Sequence, residues 1–176
     1  MSNLTRYFPW IQFLETHHVM NVATLFGLGR YGIAPGTLGA AAGLLWYLVF
    51  FHWSPPLVWL ILFGLSCYAA IAFCHEAEAR LYQEDPQEVI LDEVVAVPLV
   101  FLFIPFHTFN EPTVYVVLLA GFGLFRFFDI LKPLGIARLQ KLEGGLGVVA
   151  DDLAAALAAC LTLHLGLIGL HEAGIR

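Results

Sequence analysis

Apolar residues run along this chain in long, nearly unbroken stretches, and polar residues interrupt them in short, dense clusters. The apolar stretches cover residues 38–51, 57–74, 94–106, 113–125 and 153–170. At about 1.5 Å of rise per residue, the first two approach the roughly 30 Å hydrocarbon core of a bilayer. Both are slightly short, and Trp46, Trp53 and Trp59 stand where a span would meet its interfaces. Residues 52–56 and 107–112 read as turns. The last stretch is rich in alanine, which permits close helix packing. Residues 1–29 are mixed: Trp10, Ile11, Phe13 and Leu14 are followed quickly by polar residues. They fit an interfacial or short packed helix better than a span. The pattern predicts an all-α, polytopic membrane bundle of about four to five spanning helices, with residues 1–176 forming a single domain.

Composition agrees with that pattern. The chain is 60% hydrophobic and 12% charged, against about 45–50% and about 25% for soluble domains. A net charge of −6 argues against nucleic acid as a partner. Cys67, Cys74 and Cys160 lie in or beside apolar stretches and read as small packing residues, not as a disulfide framework. Glu15, His17 and His18 interrupt what would be the apolar part of a leader, so a cleaved signal peptide is not expected. The two histidines read as interfacial polar residues ahead of metal ligands.

The polar interruptions carry the candidate chemistry. Residues 27–39, GLGRYGIAPGTLG, hold five glycines and a proline, which argue against a regular helix. Thr37 then falls where a helix N-cap belongs. A glycine-rich turn feeding a helix presents free N–H groups to an anion, and Arg30 adds a positive charge. A tight turn with no ligand accounts for the same residues equally well. Residues 75–93 carry seven carboxylates, most of which read as a solvated face. Asp92 and Glu93 differ, because they border the next apolar stretch.

The densest cluster is residues 125–152. Charges at the border of a hydrophobic segment are costly unless water, a metal ion or a charged ligand meets them. Arg126, Asp129 and Lys132 are spaced to share one helix face, and Pro133 ends or kinks that helix. They make either a salt-bridge ladder or a metal ligand between two phosphate-holding cations. Gly144, Gly145 and Gly147 allow backbone close to a ligand. Asp151 and Asp152 follow at what reads as the entrance of the last helix, where they complement its dipole or hold metal. Asp92, Glu93, Asp129, Asp151 and Asp152 offer the oxygen donors that Mg²⁺ prefers, and no histidine–cysteine pattern for zinc accompanies them. Arg30, Arg80, Arg126, Lys132, Arg138 and Lys141 fall at one end of such a bundle and Arg176 at the other. The positive-inside rule places the charged end in the cytoplasm.

Four motifs in order then identify a resemblance: PGTLG at residues 35–39, DPQEVILDE at 85–93, FRFFDILKP at 125–133 and GGLGVVADD at 144–152. Together they resemble the phosphatidylglycerophosphatase A family of bacterial membrane phosphatases. The resemblance implies Mg²⁺-dependent hydrolysis of the terminal phosphate of phosphatidylglycerophosphate to give phosphatidylglycerol, in the bacterial inner membrane. Its partners would be the bilayer and a phospholipid substrate; it leaves the oligomeric state open. Carried over by position, the acidic site residues are Asp85, Asp92, Glu93, Asp129, Asp151 and Asp152, while Thr37, Arg126 and Lys132 match polar positions. Four departures occur. Ala40 stands where the family has serine, Ala96 and Leu157 where it has glycine, and Gly135 where it has a second proline. None removes a charge.

The expected mechanism is metal-assisted transfer of the phosphoryl group to water. Asp85, Asp92, Asp129, Asp151 and Asp152 are the expected metal ligands, Asp92, Glu93, Asp129 and Asp152 the catalytic group, and Glu93 within it the general base. Arg30, Thr37, Arg126 and Lys132 would bind substrate. An aspartyl-phosphate route is the mechanistic rival. Other functions weighed are a head-group phosphotransferase, whose D-x-x-D-G-x-x-A-R pattern is missing, and a small membrane carrier or scaffold with an acidic metal site. A carrier needs ionisable groups near the midplane, whereas these gather at one interface.

Overall fold

A computed structural model describes residues 8–32 and 34–173. Residues 1–7 of the N-terminal segment, and Arg176, expected at the far end, lie outside the described residues. The described residues form six α-helices and no strand: α1 (Thr16–Ala23), α2 (Pro35–Phe50), α3 (Pro56–Leu81), α4 (Leu91–Val100), α5 (Glu111–Leu131) and α6 (Gly145–Glu172). Helices α3, α5 and α6 are each long and apolar enough to cross a membrane, and α2 is a shorter apolar helix. Their outward residues include Leu60, Ile61 and Leu65 on α3, Leu119 on α5 and Leu165 on α6, all exposed. An outer surface this apolar suits a lipid solvent, and helices satisfy their own backbone groups there.

Helix α4 occupies the middle. It packs against α2, α3, α5 and α6, and Val94, Val95, Ala96, Val97, Pro98 and Val100 are all buried. A helix apolar on every side belongs inside. Glycines let its neighbours come close. A Cβ at Gly43 of α2 would lie 2.9 Å from Val97 Cβ, and one at Gly121 of α5 would collide with the Phe101 ring.

Several boundaries differ from the hydropathy pattern. The apolar stretch 94–106 is not one helix: α4 stops at Val100, a length of only about 15 Å. Residues beyond it, with the far ends of α2, α3 and α5, line an apolar cavity of about 1030 Å³ that includes Tyr47, Phe51, Trp59, Phe101 and Phe106. Helix α2 begins at Pro35 with Ala34 as its N-cap, so Thr37 lies inside the first turn and is not the cap. Helix α3 continues through the polar residues to Leu81. Helix α6 starts at Gly145, well before the apolar stretch that begins at Leu153. As expected, α5 ends just before Pro133, and Lys132 makes the bend with φ +43°.

The N-terminal segment is a packed element. A 3-10 turn, Pro9–Phe13, and α1 lie along α3. Phe8 and Tyr68 have ring centroids 5.1 Å apart, and Trp10 meets Phe73 edge-on at 5.8 Å. His17 and His18 are exposed beside Glu15.

Candidate active site

A cavity of about 220 Å³ opens where the charged ends of the helices converge. It is lined by residues from every part of the chain that the motifs marked. Pro35 and Gly36 come from the start of α2, and Asp85, Gln87 and Val89 from the connection before α4. Asp92 and Glu93 come from the first turn of α4, Arg126 and Asp129 from the end of α5, Lys132 from the bend, and Asp151 and Asp152 from α6. Asp92, Asp129, Asp151 and Asp152 are buried, while Asp85 and Gln87 are exposed. Acids therefore form the floor, and the 85–87 connection forms the mouth.

Local structure explains how each group arrives. The N-terminus of α4 enters the cavity, so its dipole favours the two carboxylates of its first turn. Neighbours on a helix point about 100° apart. Glu93 accordingly faces Gly36 and Arg126, and Asp92 reaches toward Asp152. The glycines of PGTLG make room for this. A Cβ at Gly36 would lie 2.5 Å from Glu93 Oε1 and 3.0 Å from Arg126 Nη1, and one at Gly39 would lie 3.0 Å from Glu93 Oε2. Asp151 and Asp152 do not cap a helix start. They sit inside α6, about 9 Å beyond its first residue, which removes the dipole explanation for them.

The two cations are held by two of the acids. Arg126 Nη1 donates to Asp129 Oδ2 and stands 4.0 Å from Glu93 Oε1. Lys132 Nζ donates to Asp151 Oδ2 and lies 3.9 Å from Asp129 Oδ1. Burial works against the Lys132 ammonium. The hydrogen-bonded Asp151 carboxylate and the nearby Asp152 and Asp129 charges outweigh that penalty, and its pKa is raised above the ordinary lysine value. It stays protonated through the neutral range.

Asp92 and Asp152 have no such partner, and Glu93 has only the long contact with Arg126. Asp92, Glu93 and Asp152 offer oxygens that all lie within 4.8 Å of one another. Asp92 Oδ1, Glu93 Oε2 and Asp152 Oδ2 are buried without a hydrogen-bond partner among the described residues, as is Arg126 Nε. Six carboxylates line the cavity against two cations. An all-oxygen set with this excess of buried negative charge suits a hard divalent cation, and the ion's own charge would answer the repulsion.

The expected site residues thus divide. Asp92, Glu93, Arg126, Asp129, Lys132, Asp151 and Asp152 converge, and Asp85 joins them at the mouth. Arg30 and Thr37 do not line the cavity. Arg30 pairs with Glu88 at 2.7 Å on the outer side of the connection, and Thr37 is exposed. Glycines 144, 145 and 147 lie outside it as well. A Cβ at Gly144 would collide with the His75 ring, and one at Gly147 would lie 2.6 Å from the Leu142 carbonyl oxygen. Gly144 and Gly145 seat α6 against α3, and Gly147 seats it against residues 140–142. Gln87 was missed, because a glutamine in a polar connector carries no distinguishing signal in sequence.

Fold and site together define a polytopic helical membrane protein with a buried, carboxylate-rich polar cavity at one end. The family model for phosphatidylglycerophosphatase A matches residues 21–167. The chain belongs to that family and is a phosphatase. It is 33% identical over 154 residues to phosphatidylglycerophosphatase A of Haemophilus influenzae, covering 87% of this chain and 90% of that one. It is also 36% identical over 138 residues to a Bacteroides thetaiotaomicron protein named "Putative phosphatidylinositol-3-phosphatase", covering 76% of this chain and 84% of that one. No solved structure matches it significantly.

Proposed function

We propose that this phosphatase removes the terminal phosphate of phosphatidylglycerophosphate, giving phosphatidylglycerol and inorganic phosphate, with Mg²⁺ as cofactor. The observation that carries the metal is the trio Asp92, Glu93 and Asp152: each has a buried oxygen without a hydrogen-bond partner among the described residues, and each offers an oxygen within 4.8 Å of the others'. The substrate head group is supported by the family and by the name of the Haemophilus relative.

Each residue then has a task. Asp92 and Asp152 hold the ion, which matches the one or two carboxylates that Mg²⁺ typically takes from protein. Bound there, Mg²⁺ supplies positive charge against the phosphoryl oxygens. Without it, an anionic substrate would meet a cavity already rich in negative charge. Arg126 and Lys132 bind and orient the phosphoryl oxygens, and their charges stabilise the transferring group. Asp129 and Asp151 hold those two cations in position. Glu93, the member of that trio that faces Arg126, takes the proton from the attacking water. The leaving alcohol departs through the mouth, and the acyl chains stay in the bilayer. Arg80 in the last turn of α3, and Arg30, Arg138 and Lys141 on the connections, lie at the same end as the cavity, which supports a cytoplasmic active site.

The test is phosphate release from phosphatidylglycerophosphate in detergent micelles, with Mg²⁺ and with chelator. Release that requires Mg²⁺, and that falls by roughly a thousandfold in Asp129→Asn while the protein stays folded, is the expected result. Undiminished turnover in chelator would remove the metal from the reading. Near wild-type turnover by the variant would remove Asp129.

A further inference from the structure

Catalysis on the phosphate uses only charged side chains, yet the cavity is not lined by charge alone. Among the described residues its lining holds a single uncharged polar side chain, that of Gln87. The amide has no hydrogen-bond partner among the described residues. Gln87 is exposed at the mouth, whereas Asp92, Asp129, Asp151 and Asp152 are buried beneath it. A phosphoryl group seated on the floor would carry its alcohol toward the mouth, where Gln87 lies.

The connection that carries Gln87 is tethered on both sides of it. The Asp85 N–H donates to Glu78 Oε1 at 2.8 Å, and Gln140 Nε2 donates to Asp85 Oδ2 at 3.3 Å. Pro86 is fully buried. Arg30 Nε donates to Glu88 Oε2 at 2.7 Å, the Val89 N–H donates to the Pro86 carbonyl at 2.9 Å, and the Ile90 N–H donates to the Ala23 carbonyl at 3.0 Å. Asp85, Glu88 and Ile90 are each bonded to a different part of the chain. A surface loop with no task does not need this many anchors. A recognition group does, because a preorganised polar group loses less freedom on binding.

We propose that Gln87 reads the alcohol part of the substrate by hydrogen-bonding a free hydroxyl of the departing head group. This rests on the reading of the substrate as phosphatidylglycerophosphate, whose glycerol carries one secondary hydroxyl between its two phosphate-bearing carbons. A carboxamide suits that partner because it both donates and accepts. It adds no charge to a mouth through which an anionic head group must pass.

The experiment compares phosphatidylglycerophosphate with its analogue in which 1,3-propanediol replaces the glycerol, so that both phosphates remain and only the hydroxyl is gone. The kcat/KM ratio of the two substrates is measured for the wild-type enzyme, Gln87→Leu and Gln87→Ala. The ratio is internal to each enzyme, so a loss of folded protein cancels. The wild-type enzyme is expected to favour the hydroxylated substrate by roughly three- to tenfold, the range of one hydrogen bond, and both variants to bring the ratio to about one. A wild-type ratio of one, or variants that keep the wild-type preference, overturns the proposal. Failure of the wild-type enzyme to release phosphate from either substrate would instead overturn the reading of the substrate.

Discussion

Lys132 shows how tightly the individual charges of this site depend on one another. Its ammonium donates to Asp151, which is almost wholly buried inside α6, and it sits on a bend that a non-glycine residue adopts at φ +43°. Such a conformation persists only when the surroundings determine it, and the Asp151 contact does so here. Replacing lysine by methionine removes the partner and leaves a buried carboxylate uncompensated. That change is expected to cost about 3 kcal/mol, read as a lowered unfolding midpoint in detergent. The double variant Lys132→Met, Asp151→Asn removes both charges and is expected to recover most of the stability and none of the activity. Equal destabilisation in the single and double variants would mean that the pair does not organise the bend.

At the scale of elements, the site depends on how closely α2 approaches α4 and α5. Gly36→Ala places a methyl group 2.5 Å from Glu93 Oε1 and 3.0 Å from Arg126 Nη1. Phosphatase activity is expected to fall at least about tenfold with helix content unchanged. Gly64→Ala in α3, where nothing lies within 4 Å, is expected to keep activity and to gain about 0.5–1 kcal/mol of stability. Equal activities in the two variants would refute the steric role of Gly36. This contact also shows what the sequence could convey. The charged positions were legible, because ionisable residues bordering apolar stretches demand a reason. The role of PGTLG as a helix turn was not: its glycines read as a break, whereas Gly36 and Gly39 lie inside α2 and face Glu93. Helix ends were the hardest to read. Hydropathy continues from Val100 into Phe101 and Ile104 although α4 has ended, because aromatic residues facing a cavity look like a span. It breaks at Asp151 and Asp152 although α6 continues, because buried acids inside a helix look like a boundary. Arg30 was misplaced for a related reason: closeness in sequence to a motif is not closeness in space, and its partner is Glu88.

For the molecule as a whole, the two ends differ in chemistry. One end gathers the acidic cavity, Arg80 in the last turn of α3, and the connections bearing Arg30, Arg138 and Lys141. The other end has the turns around residues 51–55 and 101–110, which contain no lysine or arginine and flank the apolar cavity. Translocating a short basic loop is unfavourable, so the proposed cytoplasmic site predicts that the charged end is the one retained inside. The consequence is functional, because the side on which the charged end lies decides from which face of the membrane the head group is drawn. His107 and Arg138 are both exposed, at opposite ends, and give a direct reading. With the native cysteines buried or half-buried, His107→Cys is expected to react with an impermeant maleimide in intact spheroplasts. Arg138→Cys is expected to react only after permeabilisation. The reverse pattern would place the phosphatase site on the outer face, and substrate would then have to cross the bilayer before hydrolysis.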